Sequence, residues 1–135
     1  MAESIALELA TPERELVREQ VSDVQVPAKD GYLGVLPGHA PLLSLLGTGA
    51  LSYGVGSRRH FVAVQGGFLE VLPEQVRVLA NRAERAEDID LEQARNSLAR
   101  AQEQVNAAAS GGDADAALAS LALAQARVAA AEQKG

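Results

Sequence analysis

Cysteine is absent from this chain, which removes both a disulfide framework and thiolate chemistry. Only two histidines, His39 and His60, stand beside that absence, so little remains for a transition-metal site. No apolar run approaches the length needed to cross a bilayer. The opening MAESIALELA also carries an acid where a secretory signal would carry basic residues, so the chain reads as intracellular. Basic residues are the minority: twelve Lys and Arg against eighteen Asp and Glu give a formal net charge of -6. That balance argues against phosphate backbones and anionic lipid as partners, and points to proteins instead.

Catalytic signatures are missing as well. The sequence holds no nucleophile elbow, Walker A loop, dinucleotide fingerprint or metal-ligand helix motif. His39 lies in GVLPGHAPLL, between Gly38 and Ala40, with no second histidine or paired acid in local reach to orient it as a base. An imidazole bonded to its own loop backbone is the reading these residues favour over a functional contact. GTG at Gly47 and GVG at Gly54 do not precede a helix, so turns between strands explain them better than phosphate cradles.

What the chain does contain is enough for one ordinary domain, or a small domain with an appendage: 135 residues, 47% of them hydrophobic. From Ser4 to Ala80 apolar residues recur at every second position, as in Ile5, Leu7, Leu9 and in Leu51, Tyr53, Val55, which is the period of a half-buried strand. Val17 and Val21 keep one phase and Val24 and Val26 the other, so a bulge or sharp bend is expected at Ser22 and Asp23. Gly56-Ser57 suits a primed hairpin turn, Gly66-Gly67 a close backbone approach, and Pro73-Glu74 a further reversal. In HFVAV both faces are apolar, so that strand should be covered on both sides. Short strands at this spacing predict a sandwich or barrel.

After Asn81 alanine dominates and helix formers take over. Leu91, Ala94, Leu98, Ala101, Val105 and Ala108 draw one stripe down a helix, opened by a capping box of Asp90 and Gln93. SGGD, from Ser110 to Asp113, writes a short reversal with Asp113 as the next N-cap. A second stripe follows through Ala114, Ala117, Leu121, Ala124, Val128 and Ala131. The hairpin has few large apolar side chains. At about 1.5–3 kcal/mol each they offset only part of an ordering cost of about 1–2 kcal/mol per residue, so it must dock on the strands or on another protein. Marginal docking is what a movable arm requires. Glu92 with Arg95 and Arg100 with Glu103 read as a solvated face, and Arg100 with Arg127 as a weak anion seat across the hairpin.

Gly31, Gly34, LPGHAPL from Leu36 to Leu42, Gly47, Gly49, GGF from Gly66 to Phe68, VLA from Val78 to Ala80 and Ile89-Asp90 form a collinear set. In these motifs the chain resembles the epsilon subunit of the F-type ATP synthase. The resemblance implies a β-sandwich of two sheets over residues 1–86 and an antiparallel helical hairpin over 87–135. It also implies a noncatalytic rotor part in the central stalk of a proton-translocating synthase. The sandwich would join the gamma subunit to the c-subunit ring. The hairpin would switch between a folded-down form and an extended form that meets the alpha/beta catalytic head and inhibits ATP hydrolysis. Membrane association would come only through the complex, on the cytoplasmic face of a bacterial inner membrane.

Carried over by position, the resemblance gives Thr11, His39 and Leu42 to the gamma-facing side and the loop Lys29, Asp30, Gly31, Tyr32 to the ring. Gly34, Leu36, Pro37, Gly38, Pro41, Gly66 and Gly67 become the structural motif, a rigid corner whose leucines fill core and interface. Tyr32 stands where a polar residue is common and offers an amphipathic contact. Many members of the family bind ATP through Ile or Leu, Asp, two variable residues, Arg and Ala, whereas this chain reads IDLEQA, with Gln93 in the arginine position. Asp90, Arg100 and Arg127 remain, but Leu123 also replaces a frequent arginine. Losing two cations costs charge-assisted bonds, so ATP is expected to bind weakly or not at all, and no other cofactor is implied. The second helix offers only Arg127 and Lys134 to an acidic partner, so inhibition would act as a steric wedge. The alternative is a free-standing nucleotide-sensing module built on Asp90, Arg100 and Arg127.

Overall fold

The computed structural model describes residues 3–108 and 113–133. Eight strands come first: β1 (Ile5–Ala10), β2 (Glu15–Val21), β3 (Val24–Ala28), β4 (Gly31–Val35), β5 (Leu42–Leu45), β6 (Thr48–Val55), β7 (Arg58–Leu72) and β8 (Gln75–Arg85). A single 3-10 turn, Ala86–Asp88, leads to helices α1 (Leu91–Ala108) and α2 (Ala114–Glu132). The alternation in β1 is realised directly, with Ile5, Leu7 and Leu9 fully buried while Ala6, Glu8 and Ala10 are not. The phase change at Ser22-Asp23 is a sharp bend. β2 pairs with β1, whereas β3 pairs with β4 and β6.

Two layers enclose one core, and long strands run through both. The hydrogen-bonded order is β2-β1-β8-β7-β6-β3-β4, with β5 also on β7. β7 pairs with β6 from Arg58 to Gln65 and with β5 from Phe68 to Val71, changing partner at Gly66-Gly67. Those glycines have φ of +67° and +122°, and a Cβ on Gly67 would run into the Leu79 carbonyl oxygen. The inward phase inverts at this corner: Val62 and Val64 fill the core before it, Leu69 and Val71 after it. β8 inverts beside it, from Val78 and Ala80 to Ala83. One strand thus serves two layers, and the sandwich is a sheet folded over at its glycines. Gly54, expected between strands, lies inside β6, where a Cβ would crowd Ser22 Oγ at 2.6 Å.

The hairpin docks on the outer side of the β6 layer: α2 rests on β6 and β7, and α1 rests on α2. HFVAV is covered on both sides as its composition requires, since Ala63 lies under Ala126 and Ala130 while Val62 and Val64 face the core. Both stripes face inward, except that Ala114 is exposed. α2 buries a second row, Ala126 and Ala130, against the sandwich. Only half of the expected capping box forms. Asp90 Oδ1 accepts from the Gln93 N–H at 3.1 Å, but the Gln93 amide turns away to donate to Ser97 Oγ at 3.0 Å. Asp113 caps α2 by accepting from the Ala116 N–H, while Ser110, Gly111, Gly112 and Lys134 lie outside the described residues. Arg95 pairs across the hairpin with Glu132 at 3.4 Å rather than with Glu92, and Arg100 donates to Ser97 Oγ rather than pairing with Glu103.

Candidate functional site: the open sandwich face and the hairpin hollow

While α2 covers the outer side of one layer, the outer side of the other is bare and apolar. Register places Leu45 opposite Phe68, Phe68 opposite Leu79, and Leu79 beside Ala10. Leu43, Leu45, Phe68 and Leu79 are exposed to 72%, 47%, 58% and 51%, values unusual for side chains of this size gathered on one surface. The next row is charged: Leu43 faces Glu70, then Arg77 and Glu8. Arg77 Nε donates to Glu8 Oε2 at 3.1 Å, Arg77 Nη1 lies 3.8 Å from Glu70 Oε1, and Arg18 extends the ladder to Glu8 at 3.7 Å and Glu15 at 3.1 Å. An apolar stripe beside a paired ionic stripe can take a protein surface of matching rows.

The sequence-predicted residues bracket this face. Thr11 closes the β1–β2 turn at one end, its N–H donating to the Arg14 carbonyl at 2.9 Å. His39 stands at the other end, in the loop before β5, with Nδ1–H donating to the Ala40 carbonyl at 2.7 Å. Pro37 and Gly38 are the central residues of a turn closed by His39 N–H to Leu36 carbonyl at 3.1 Å. Gly38 has φ +86°, the type II pattern, and its N–H is tied to the Pro73 carbonyl at 2.8 Å. Leu42 lies on the inward phase of the edge strand, opposite buried Val71, and stays 38% exposed; Leu43 and Leu45 carry the outward phase. Leu36 is 63% exposed and Pro41 is exposed too, so this corner fills no core at Leu36, contrary to expectation. Leu45, Phe68 and Leu79 escaped sequence reading. The outward phase of Phe68 and Leu79 follows the glycine corner, which periodicity does not show, and Leu45 lies in LLSL, apolar on both phases.

Lys29 and Asp30 form a two-residue turn, but Gly31 and Tyr32 already belong to β4, paired with Ala28 and Pro27. The expected loop is therefore the tip of a hairpin. Tyr32 is 60% exposed, and its hydroxyl oxygen accepts from the Ala50 N–H at 2.9 Å while the ring lies over Gly49. Gly34 lies in β4 against the Gln25 side chain.

A hollow of about 240 Å³ opens between the two helices, and Arg100 and Arg127 both line it, with Ser97, Gln104, Ser120 and Leu123. The two arginines share that lining. Asp90 does not join them: it is spent as the α1 N-cap. Arg127 is also engaged, for its Nε donates to Glu84 Oε1 at 2.8 Å and its Nη2 to Gln93 Oε1 at 2.9 Å. Leu123 contributes an apolar wall where an anion would need a donor. His60 stacks on Tyr53 at 5.2 Å, and burial first, then Glu19 and Glu87, push the Tyr53 hydroxyl above its usual pKa. Among the described residues no cluster of three or more His, Asp or Glu is placed to hold a metal ion, and no helix is long and apolar enough to cross a membrane.

A family model described as ATP synthase, Delta/Epsilon chain, beta-sandwich domain matches residues 4–86. An ATP synthase epsilon chain of Solibacter usitatus (strain Ellin6076) is 58% identical over 134 residues, 99% of this chain and 100% of the relative. The chain belongs to the ATP synthase epsilon chain family. Epsilon chains of Koribacter versatilis (41% identical) and Carboxydothermus hydrogenoformans (48% identical) each align over 105 residues, 78% of this chain and 74% and 78% of theirs. The epsilon fold is shared with a chain of the Euglena gracilis mitochondrial ATP synthase, OSCP/F1/c-ring, at TM-score 0.77 and 23% identity, covering 99% of this chain and 84% of that one. A chain of the Tetrahymena thermophila mitochondrial ATP synthase central stalk/c-ring follows at TM-score 0.53 and 15% identity, over 62% and 68%. Both likenesses speak to fold.

Proposed function

We propose that this epsilon chain is a noncatalytic rotor subunit whose bare sandwich face docks the gamma subunit of a proton-translocating synthase. The Lys29–Tyr32 hairpin tip meets the c-subunit ring, and the helical hairpin is a movable arm. One observation carries the reading. Of the two outer faces of the sandwich, one is covered by α2, and the other presents Leu45, Phe68 and Leu79 in register, bracketed by Thr11 and His39. A face this apolar is stable when another protein covers it. Epsilon membership, and the OSCP/F1/c-ring assembly named for the Euglena neighbour, support gamma as that protein.

In this reading the subunit sits peripherally on the cytoplasmic side of a bacterial inner membrane, held there by the complex. The folded-down hairpin leaves the gamma face free, and an extended hairpin would reach the alpha/beta head and block hydrolysis as a wedge. Truncation after Ala86 tests the division of labour: the truncated chain is expected to assemble with gamma and the c ring and to lose any inhibition. Failure to assemble would make the arm structural and overturn it.

A nucleotide-sensing module is the second reading, favoured only by the shared lining of Arg100 and Arg127. Glu84 already neutralises Arg127, so ATP would have to displace a carboxylate. Calorimetric titration decides it: absence of heat at millimolar ATP leaves the rotor reading alone, and tight binding brings the sensor forward.

A further inference from the structure

The surface between hairpin and sandwich is built largely from alanine, with Ile89, Phe61, Leu91 and Val128 as its larger side chains, and Gln65 Nε2 of β7 donates across it to the Ala119 carbonyl of α2 at 2.9 Å. Ala126 and Ala130 of α2 meet Ala63 and Ala50, with Phe61 the one large side chain of the sandwich among them. Alanine buries little area, so apolar contact alone holds such an interface weakly. Against that background Arg127 ties three elements together: it extends from α2, donates to Glu84 on β8 and donates to Gln93 on α1. Its side chain is only 18% exposed, and among the described residues its pair with Glu84 is the ion pair that joins hairpin to sandwich. Gln93 is oriented for the task, because its amide nitrogen is held by Ser97 and its oxygen is left to accept from Arg127.

We infer that Arg127, Glu84 and Gln93 form a self-contained latch that holds the arm down without any bound ligand. Removing Glu84 strands the largely shielded Arg127 charge, removing Arg127 leaves a partly exposed Glu84 unpaired, and either cost falls on the docked form alone, since water satisfies both groups once the hairpin lifts. Beside the single Gln65–Ala119 hydrogen bond, the latch therefore governs how often the arm leaves the sandwich. The inference rests on the reading of the hairpin as a movable arm.

The absence of cysteine supplies the test. Ala63→Cys, at a position 1% exposed beneath α2, reacts with a thiol reagent only when the hairpin lifts, whether or not the helices stay folded. Val64→Cys, on the opposite face of the same strand within the sandwich core, reacts only on global unfolding. In the full-length chain, Arg127→Gln and Glu84→Gln are expected to speed labelling at position 63 by about tenfold or more, with position 64 unchanged. The double charge exchange Glu84→Arg with Arg127→Glu is expected to return labelling to within about threefold of the parent. Faster labelling at 63 than at 64 in the parent, with no change in either single variant, would overturn the latch and leave the movable arm standing. Labelling at 63 that never exceeds labelling at 64 in any variant would overturn the movable arm, and the latch with it.

Discussion

Asp23 and Arg59 are joined by two parallel hydrogen bonds, Arg59 Nη1 to Asp23 Oδ1 at 2.9 Å and Nη2 to Oδ2 at 2.8 Å. They clamp the bend between β2 and β3 to the outer side of the β6–β7 pair, where Arg59 Nε also reaches Ser52, a buried hydroxyl. Hydrogen bonding from Arg59 holds the Asp23 carboxyl below the usual carboxylate range, against the opposing effect of burial.

A carboxylate whose pKa is depressed in the folded state stabilises that state fully above its unfolded value, near about 3.9, and loses the contribution as pH falls toward the folded value. Asp23→Asn is therefore expected to cost about 1 kcal/mol at neutral pH, a figure moderated by the partial exposure of both side chains. Urea unfolding of parent and variant across pH checks this. The difference between them should be constant above about pH 5 and shrink below about pH 4; a gap that widens in acid would contradict it.

Gly67→Ala sets a left-handed residue against the Leu79 carbonyl at the corner where β7 changes layers. At least about 3 kcal/mol should be lost, read by chemical denaturation or by failure to accumulate folded protein. Gly38→Ala is the control. Its φ is also positive, but open space surrounds it, so only the backbone strain of about 1–2 kcal/mol applies.

Phe68→Asp and Leu79→Asp place charges on the bare face. Because both side chains are already exposed, stability is expected to change by no more than about 0.5 kcal/mol. Affinity for the gamma subunit should fall roughly 30-fold or more, measured by reconstitution with purified gamma. Unchanged affinity would assign this face to a different partner.

Gln93→Arg combined with Leu123→Arg adds one cation in the lining of the hairpin hollow and one beside Arg127. ATP binding by calorimetry should rise from weak or undetectable in the parent by about tenfold for each charge-assisted bond restored. A parent that already binds tightly would mean that Arg100 and Arg127 suffice.

The strands and helices were legible wherever residues alternate cleanly. Ile5, Leu7 and Leu9 announce β1, and Ala94 and Ala101 lie on the stripe that buries them. The outward face was not, for two reasons. β5 reads LLSL, apolar on both phases, so nothing local separates Leu42 from Leu43 and Leu45. β7 inverts its phase at Gly66-Gly67, which makes Phe68 an outward residue only once its pairing with Leu45 and Leu79 is known. The second buried row of α2 was hidden by composition, since alanine on every side leaves no phase to read. Arg127 stands out as a cation of the second helix, yet its partner Glu84 is 43 residues away in sequence, a distance across which spacing says nothing.

The parallel pairing of β1 with β8, from Ala6 beside Gln75 to Ala10 beside Leu79, also bears on how the chain is made. On the ribosome β1 can form a hairpin with β2 as soon as both have emerged, but its other edge waits until β8 has appeared. Pairings that span so much sequence form slowly, while the contacts between α1 and α2 are local and form quickly. The sandwich is thus closed by its own first strand only once β8 is made, and the alanine-rich hairpin, which follows β8 in sequence, pairs its two helices without waiting for that closure.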